Sequence, residues 1–276
     1  MKDALIVTAL SIVPKNFAAR VMGAFARTRW PASVERTLLR WYVRKYKVNL
    51  KECVGGIEDY PTLVDFFTRA LRPGVRPVDA TPDALVSPVD AAVYAVGTVK
   101  NGRLYQSDGK DYSVTDLLGG DDRYTHGEYC VLYLSPRDYH RVHTPREGTI
   151  TRFEYLPGRL WPVFPAATRR IQDLFARNER LVAWLHTEVG EVAVAMIGAF
   201  GVGRMRAVYT DLITNTGGPA LRQTLPNPVA LGRAAELGRF EMGSTVILVL
   251  PHGRVRWSIR PGDTVRLGAR IGSLIL

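Results

Sequence analysis

Residues that can transfer a proton or attack a carbonyl occur in three short stretches of this chain. Asp90 follows a Ser-Pro turn, His140 and His143 lie three residues apart, and Ser244 follows Gly243. A serine hydroxyl is a weak nucleophile until a base takes its proton, and neutral histidine suits that task near neutral pH. An acid fixes the tautomer of the histidine. These residue types indicate an acid–histidine–serine set, whatever their order along the chain.

The peptide bond between Gly243 and Ser244 is a second chemical feature. Gly243 has no Cβ, so its backbone reaches conformations that other residues resist, and its carbonyl can be presented to the hydroxyl of Ser244. With a base nearby, such a bond is a candidate for an N→O acyl shift. Two other interpretations stay open: Gly-Ser-Thr as an ordinary turn before a strand, and Asp90, His140 and His143 as three zinc ligands.

Length and composition indicate a globular protein. The chain has 276 residues, enough for one large domain or two small ones. The cysteines, Cys53 and Cys130, argue against a disulfide framework and suit a reducing compartment. The net charge is +11, and the first 50 residues alone carry ten lysines and arginines against two acids. A basic, partly apolar N-terminus favours an anionic membrane surface or a nucleic acid as partner.

The N-terminal region is predicted to be helical. Residues 32–47 place Leu, Trp and Tyr at helical spacing opposite arginines, which fits a helix in a membrane interface. The alternative is a helix packed on the core with its arginines in water. Residues 4–13 are apolar but shorter than the ~20 residues that a spanning helix needs. We interpret them as an interfacial or core-docking helix, and predict no membrane-spanning segment.

The sequence pattern predicts an α+β protein in which N-terminal helices precede a mostly antiparallel, barrel-sandwich-like β core. We predict a helical, basic, membrane-associating segment at 1–60 and a β-rich catalytic domain at 61–276. Brief helices are expected at 113–118 and 168–175, and a hairpin within 260–272. Short apolar runs separated by Gly, Pro and Asp predict strands at 92–99, 129–133, 148–155, 180–185, 192–198, 204–208, 244–250 and 265–267.

These stretches, taken together, resemble the pyruvoyl-dependent phosphatidylserine decarboxylase family, in its bacterial membrane-associated branch. The resemblance covers about residues 40–255 in family order, with Met242 and Ala91 as two departures where the family usually has Leu and Gly. The matching segments are Phe66-Phe67-x-Arg69, Arg76-Pro77-Val78-Asp79, Ser87-Pro88-x-Asp90, Asp111-Tyr112-Ser113, residues 133–143 with Asp-Tyr-His-Arg-Val-His, residues 174–180 with Asn-Glu-Arg, and residues 236–246.

The resemblance implies a mechanism. Asp90 orients His143, His143 takes the proton of Ser244, and Ser244 attacks the carbonyl of Gly243. The chain then separates into a β chain, 1–243, and an α chain, 244–276, and Ser244 becomes a covalent pyruvoyl group. That group forms a Schiff base with phosphatidylserine and assists its decarboxylation to phosphatidylethanolamine. His140 is the candidate acid that returns a proton to the product, and no metal is required.

The resemblance also implies partners and a location. The substrate is a phospholipid, so we expect a peripheral protein on the cytoplasmic face of the cell membrane, bound to an anionic lipid surface and not to nucleic acid. The α and β chains form a heterodimer, with a higher oligomer left open. Two rival functions are a zinc hydrolase that uses Asp90, His140 and His143, which stoichiometric zinc would favour, and a non-catalytic lipid-binding module, which predicts an uncut chain.

Overall fold

The fold is described here from a computed structural model of the chain, which covers residues 15–107, 110–201, 204–241 and 244–276. Gly243 and the predicted helix at 4–13 lie outside the described residues. Helices come first and strands dominate after residue 84, as the sequence predicts for an α+β protein. The helices are α1 (Lys15–Arg27), α2 (Ala32–Tyr46), α3 (Leu63–Phe67), α4 (Val114–Leu117), α5 (Pro165–Thr168) and α6 (Leu174–Arg177), with 3-10 turns at Leu50–Glu52 and Ile57–Asp59.

The strands form an antiparallel core. Their bounds are β1 (Ala84–Val86), β2 (Ala91–Thr98), β3 (Arg103–Ser107), β4 (Lys110–Ser113), β5 (Glu128–Leu134), β6 (Arg141–His143), β7 (Gly148–Leu156), β8 (Arg180–Thr187), β9 (Gly190–Gly198), β10 (Met205–Ala207), β11 (Leu221–Leu231), β12 (Glu236–Phe240), β13 (Ser244–Leu250), β14 (Val255–Trp257), β15 (Thr264–Val265) and β16 (Arg270–Leu274). The largest sheet has the order β11-β7-β8-β9-β13-β5-β2-β15.

Strand β13 lies in the middle of this sheet and is buried on both faces. Val246, Leu248 and Leu250 pack in one apolar cluster, while Ile247 and Val249 pack in another on the opposite face. A strand covered on both sides reads as a continuous apolar run, which is why the sequence predicted its bounds correctly. The sheet thereby fixes the first residue of β13 between two neighbours.

Helices α1 and α2 pack on α3 through a smaller apolar cluster. Leu39 and Tyr42 of α2 are buried against Phe66 and Phe67, whereas Trp41 stays half exposed. Helix α2 therefore has a core-facing side, as one alternative predicted, and an outward apolar side, as the other required. Among the described residues, no helix combines the length and hydropathy needed to cross a bilayer.

Two local predictions are wrong. The helix expected at 168–175 is interrupted between α5 and α6, because the buried amide of Gln106 binds the carbonyls of Thr168 and Ile171 at 2.8 and 2.6 Å. The expected hairpin at 260–272 does not pair with itself. Its strands pair elsewhere, β15 with β2 and β16 with β1 and β14, although Gly262 and Gly268 do adopt positive φ at the intervening turns.

Candidate active site

The start of β13 is the point where the chemically active stretches meet. The backbone of Ser244 pairs with Leu134, the last residue of β5, and with Gly198, the last residue of β9. Strand β12 leads the chain toward Ser244 and pairs with β6, which carries His143. The loop after Leu134 contains His140. The topology therefore brings both histidines to the chain segment that precedes Ser244.

His143 is a buried, neutral base with a defined tautomer. Its Nδ1 lies 2.8 Å from the carbonyl of Ala234, so Nδ1 must carry the proton and donate it. Its Nε2 lies 3.1 Å from the hydroxyl of Tyr139 and accepts from it. Burial lowers the pKa of His143, since a low-dielectric surrounding disfavours the charged imidazolium. The Nε2 lone pair is thus the basic site at neutral pH.

The carboxylate of Asp90 is held by a side chain and by a backbone amide. Its carboxylate accepts two hydrogen bonds from Arg76 Nε, at 2.9 and 3.1 Å, and one at 2.6 Å from Arg76 Nη2. The backbone N–H of Leu267 adds a bond of 2.8 Å. Within the described residues, Asp90 and His143 share no hydrogen bond, because each is already satisfied by other groups.

Asp90 is nevertheless close enough to act on His143 through its charge. The backbone N–H of His143 donates to the carbonyl of Pro88 at 2.9 Å, which places the two stretches side by side. The negative charge of Asp90 raises the pKa of His143 and so opposes the effect of burial. The charge of Asp90 therefore acts on His143, and its predicted role in orienting the imidazole stays a prediction.

His140 is enclosed more completely than His143. It is fully buried, its Nδ1 lies 2.8 Å from the carbonyl of Asp138, and its ring packs on Phe67 at 3.9 Å between centroids. Among the described residues, its Nε2 has no hydrogen-bond partner. Burial, with the nearby charge of Arg69, lowers the pKa of His140 to about 3. The ring therefore holds a lone pair at neutral pH, and its predicted role as the acid stays a prediction.

Three supporting residues were quoted in the family motifs but not given a role. Arg69 donates to the carbonyls of Arg137 and Asp138 at 2.9 and 3.0 Å and so fixes the loop that carries His140. Arg76 holds Asp90, and Tyr139 covers Nε2 of His143. Their place in the motifs was a signal, but their contacts depend on chain segments far apart in sequence.

Glu241, three residues before Ser244, is a fourth residue that the sequence did not single out. Its buried carboxylate lies 3.3 Å from Arg27 of α1, 3.4 Å from Arg204 and 2.8 Å from Arg206. One carboxylate cannot neutralise three guanidinium groups, so this region stays positive. The Arg27 contact ties α1 to the chain segment that leads to the Gly243–Ser244 bond.

Two cavities open beside these groups. One of about 270 Å³ is lined by Asp90, Asp138, Tyr139 and several basic residues. The other, of about 380 Å³, lies under α1 and is lined by Arg20, Arg27, Arg204, Asn215 and Glu241. Both have an excess of positive charge and suit an anionic ligand.

The zinc alternative gains no support from this geometry. Asp90 is bound by Arg76, and Nδ1 of each histidine is bound by a backbone carbonyl. Across the described ranges, no group of three or more His, Cys, Asp or Glu side chains is arranged to hold a metal ion. Each histidine is instead a neutral base with its Nδ1 bound to the backbone.

Comparison with known proteins identifies the family of the chain. The family model for phosphatidylserine decarboxylase matches residues 63–273. The phosphatidylserine decarboxylase proenzymes of Myxococcus xanthus and of an Anaeromyxobacter species are 43% and 44% identical to this chain, over 99% of each sequence. That of Bordetella pertussis is 38% identical over 97% of this chain and 96% of its own. The chain therefore belongs to the phosphatidylserine decarboxylase family.

Proposed function

We propose that this protein is made as a precursor, cleaves itself between Gly243 and Ser244, and then decarboxylates phosphatidylserine to phosphatidylethanolamine. One observation carries the proposal in this chain: β12 leads toward Ser244 while paired with β6, so that His143 lies opposite Glu236, and the N–H of Phe240, three residues before Gly243, donates to the carbonyl of His140. Membership of a family whose relatives are named proenzymes supports the same conclusion. The chain is accordingly an enzyme of the decarboxylase class.

The cleavage uses only groups of the chain itself. His143 takes the hydroxyl proton of Ser244 at Nε2, after Tyr139 yields that position, and the oxygen attacks the carbonyl carbon of Gly243. The C–N bond of the peptide breaks and an ester forms. β-Elimination then releases the carboxylate of Gly243 and leaves dehydroalanine, which water converts to a pyruvoyl group and ammonia. Asp90 contributes by making the imidazolium of His143 less unfavourable.

The residues around position 244 fit such a group. The strands β5 and β9 hold the backbone of Ser244 from its two sides. Nε2 of His140 is a buried polar atom that has no partner in the described part of the chain and can bind a ligand. A pyruvoyl group supplies a ketone that takes the substrate amine and accepts the electrons released with CO2. The sheet holds the cut end in place while His140 and His143 stay neutral.

The two fragments are expected to stay together as a heterodimer. The fragment 244–276 begins with β13, which pairs with β5 and β9 in the middle of the large sheet. Residues 246–250 are fully buried. Removing this strand would expose two apolar faces at once, at roughly 25 cal/mol per Å² of apolar surface, so the cut leaves the fold intact.

The helices α1 and α2 are proposed to bind the anionic surface of a lipid bilayer. Phe17 is 62% exposed, and exposed apolar residues recur along both helices at Val21, Met22, Phe25, Trp30, Val34 and Trp41. Exposed basic residues flank them, namely Arg20, Arg29, Arg36, Arg40, Arg44 and Lys45. Apolar side chains with a basic border suit the interface of an anionic membrane. The proposed location is the cytoplasmic face of the cell membrane.

The intact mass of the purified protein tests the proposed function. We expect two fragments that correspond to 1–243 and 244–276, with the smaller one reactive toward hydroxylamine through its ketone. The Ser244→Ala variant is the matched control and should stay a single chain. A wild-type protein of full-length mass without a reactive carbonyl would contradict the proposal and favour the lipid-binding module, whereas stoichiometric zinc would favour the hydrolase.

A further inference from the structure

The Asn-Glu-Arg motif at 178–180 has no part in the mechanism above, although all three side chains are buried. Asn178 accepts from the N–H of Trp161 at 2.9 Å and donates to the carbonyls of Trp161 and Gly198 at 2.8 and 2.9 Å. Arg180 donates to the carbonyl of Leu117 at 3.1 Å. These two side chains bind backbone groups and hold the start of β8 in place.

Glu179 differs because one of its oxygens is left over. Its Oε1 accepts from the hydroxyl of Tyr155 and from the backbone N–H of Asn215, each at 2.6 Å. Its Oε2 is buried and has no hydrogen-bond partner, and within the described part of the chain no basic side chain forms an ion pair with it. An unpaired buried carboxylate is costly, so burial raises the pKa of Glu179 to about 7. With Oε1 accepting twice, the proton belongs on Oε2.

The backbone places Glu179 in register with the reactive position. Gly198 donates its N–H to the carbonyl of Glu179 at 2.8 Å, and Gly198 is also the partner of Ser244 across the next ladder. Glu179 and Ser244 are therefore two strand spacings apart, about 10 Å between Cα atoms. Residues directly opposite each other share one face of a sheet. The residue between them is a glycine, which places no side chain in that row.

A route for protons and substrate lies beside this row. Asn215, which binds Oε1 of Glu179, also lines the cavity of about 380 Å³ together with Arg20 and Arg27. The positive charge of Arg20 is close enough to act on the Glu179 carboxyl. An anionic phospholipid headgroup that enters under α1 would be attracted to these arginines and would reach the row from the side of Glu179.

We propose that Glu179, in place of the candidate His140, is the catalytic acid of the decarboxylation and donates the proton that replaces CO2 on the substrate carbon, an inference that rests on the proposed function. The bond between that carbon and the carboxylate breaks, and its electron pair is held by the group at residue 244. The pair then forms a C–H bond with the proton of Oε2, which leaves Glu179 as a carboxylate. Water in the cavity returns the proton, in agreement with the single proton that the overall reaction consumes.

Glu179→Gln is the principal test, because the amide keeps the size and the Oε1 acceptor but has no acidic proton. We expect normal cleavage into two fragments, a normal carbonyl content in fragment 244–276, and a kcat for decarboxylation about 100-fold lower, as is typical for loss of a general acid. KM should change little. Glu179→Asp, which keeps the acid but retracts it, should recover part of the loss.

Tyr155→Phe distinguishes a catalytic acid from a structural residue. The Tyr155 hydroxyl lowers the pKa of Glu179 through its hydrogen bond. Its removal should raise that pKa and move the alkaline fall of the decarboxylation rate to higher pH, while Glu179→Gln should remove this fall. Infrared titration gives a readout without activity: uncut Ser244→Ala protein should show a protonated carboxyl band near pH 7 that is absent from Ser244→Ala/Glu179→Gln.

The outcomes separate this inference from the proposed function. If wild-type protein is not cut and has no reactive carbonyl, the proposed function fails first. If wild-type is cut and active while Glu179→Gln decarboxylates at the same rate with the same pH profile, the role of Glu179 is overturned. Where Glu179→Gln is not cut, Tyr155→Phe decides, since an unmoved alkaline fall would also overturn it.

Discussion

Ser244 lies between β5 and β9, and the ionisable groups beyond these two strands have opposite protonation states. On one side, His140 and His143 are buried with lowered pKa values and present lone pairs. On the other side, Glu179 is buried with a raised pKa and keeps its proton. The physical cause is the same on both sides, because burial disfavours whichever form is charged. A neutral histidine is a base and a neutral glutamic acid is an acid, so burial in an apolar surrounding produces a base from His143 and an acid from Glu179.

The histidines and Glu179 are also oriented by similar neutral hydrogen-bonding groups. Backbone carbonyls of Asp138 and Ala234 orient the two histidines, and the hydroxyl of Tyr155 and the N–H of Asn215 orient Glu179. Within the ranges that the structure describes, neither the two histidines nor Glu179 forms an ion pair. Asp90 does form an ion pair, with Arg76, and its charge raises the pKa of His143 without a direct contact.

Replacing His143 should have the largest effect. His143→Ala removes the base that takes the proton of Ser244, and we expect cleavage at least about 100-fold slower, consistent with general-base catalysis. The measurement is the mass of freshly made protein followed over time. His186→Ala, an exposed histidine on β8, is the control and should be cut normally. Cleavage of His143→Ala at the wild-type rate would show that His143 is not the base for the cleavage.

Replacing Asp90 should have a smaller effect than replacing His143. Because Asp90 binds Arg76 and acts on His143 only through its charge, we expect Asp90→Asn to slow cleavage by about tenfold, which corresponds to one pKa unit or 1.4 kcal/mol. Glu52→Gln is the matched control, since Glu52 also pairs with Arg76. A defect as severe as that of His143→Ala would show that Asp90 contacts the imidazole directly during cleavage.

Self-cleavage should slow in acid, whereas decarboxylation should slow in alkali. Cleavage needs neutral His143, whose pKa burial holds below the usual 6.5, so its rate should fall with acid and reach half its maximum below pH 6.5. Decarboxylation needs protonated Glu179 and should fall as pH rises through about 7. Rates measured between pH 5 and 9 check both limbs. Half-maximal cleavage at or above pH 6.5 would contradict the burial argument for the histidine.

The smallest effect on the chemistry should come from the lipid-facing helix. Phe25→Ser on α1 removes one exposed apolar side chain, and we expect about tenfold weaker binding to vesicles rich in anionic phospholipid, from roughly 1.5 kcal/mol of lost burial. Cleavage should be unchanged, since delivery of the substrate and proton transfer are separate. Val78→Ser, an exposed apolar residue outside the helices, is the control. Equal vesicle binding by both variants would argue against α1 as the membrane contact.

Much of the fold followed from local pattern, and the failures have identifiable causes. The run 244–250 matched β13 and residues 32–47 matched α2 within one residue, because both have strong periodicity or continuous apolar character. Strand β11 was missed because Pro226 and Pro228 argue against a strand. It is tolerated at the edge of the sheet, where the register also shifts between Thr224 and Val229.

The sequence by itself determined the family, the α+β class and the residue types of the site, because motifs and periodicity are local properties of the chain. Only the tertiary structure decided that Asp90 binds Arg76, that His143 is protonated on Nδ1, and that Glu179 has one oxygen without a partner. Those properties depend on burial and on backbone groups contributed by distant segments. Burial removes water from ionisable groups, and that loss of hydration sets which side of residue 244 holds the proton.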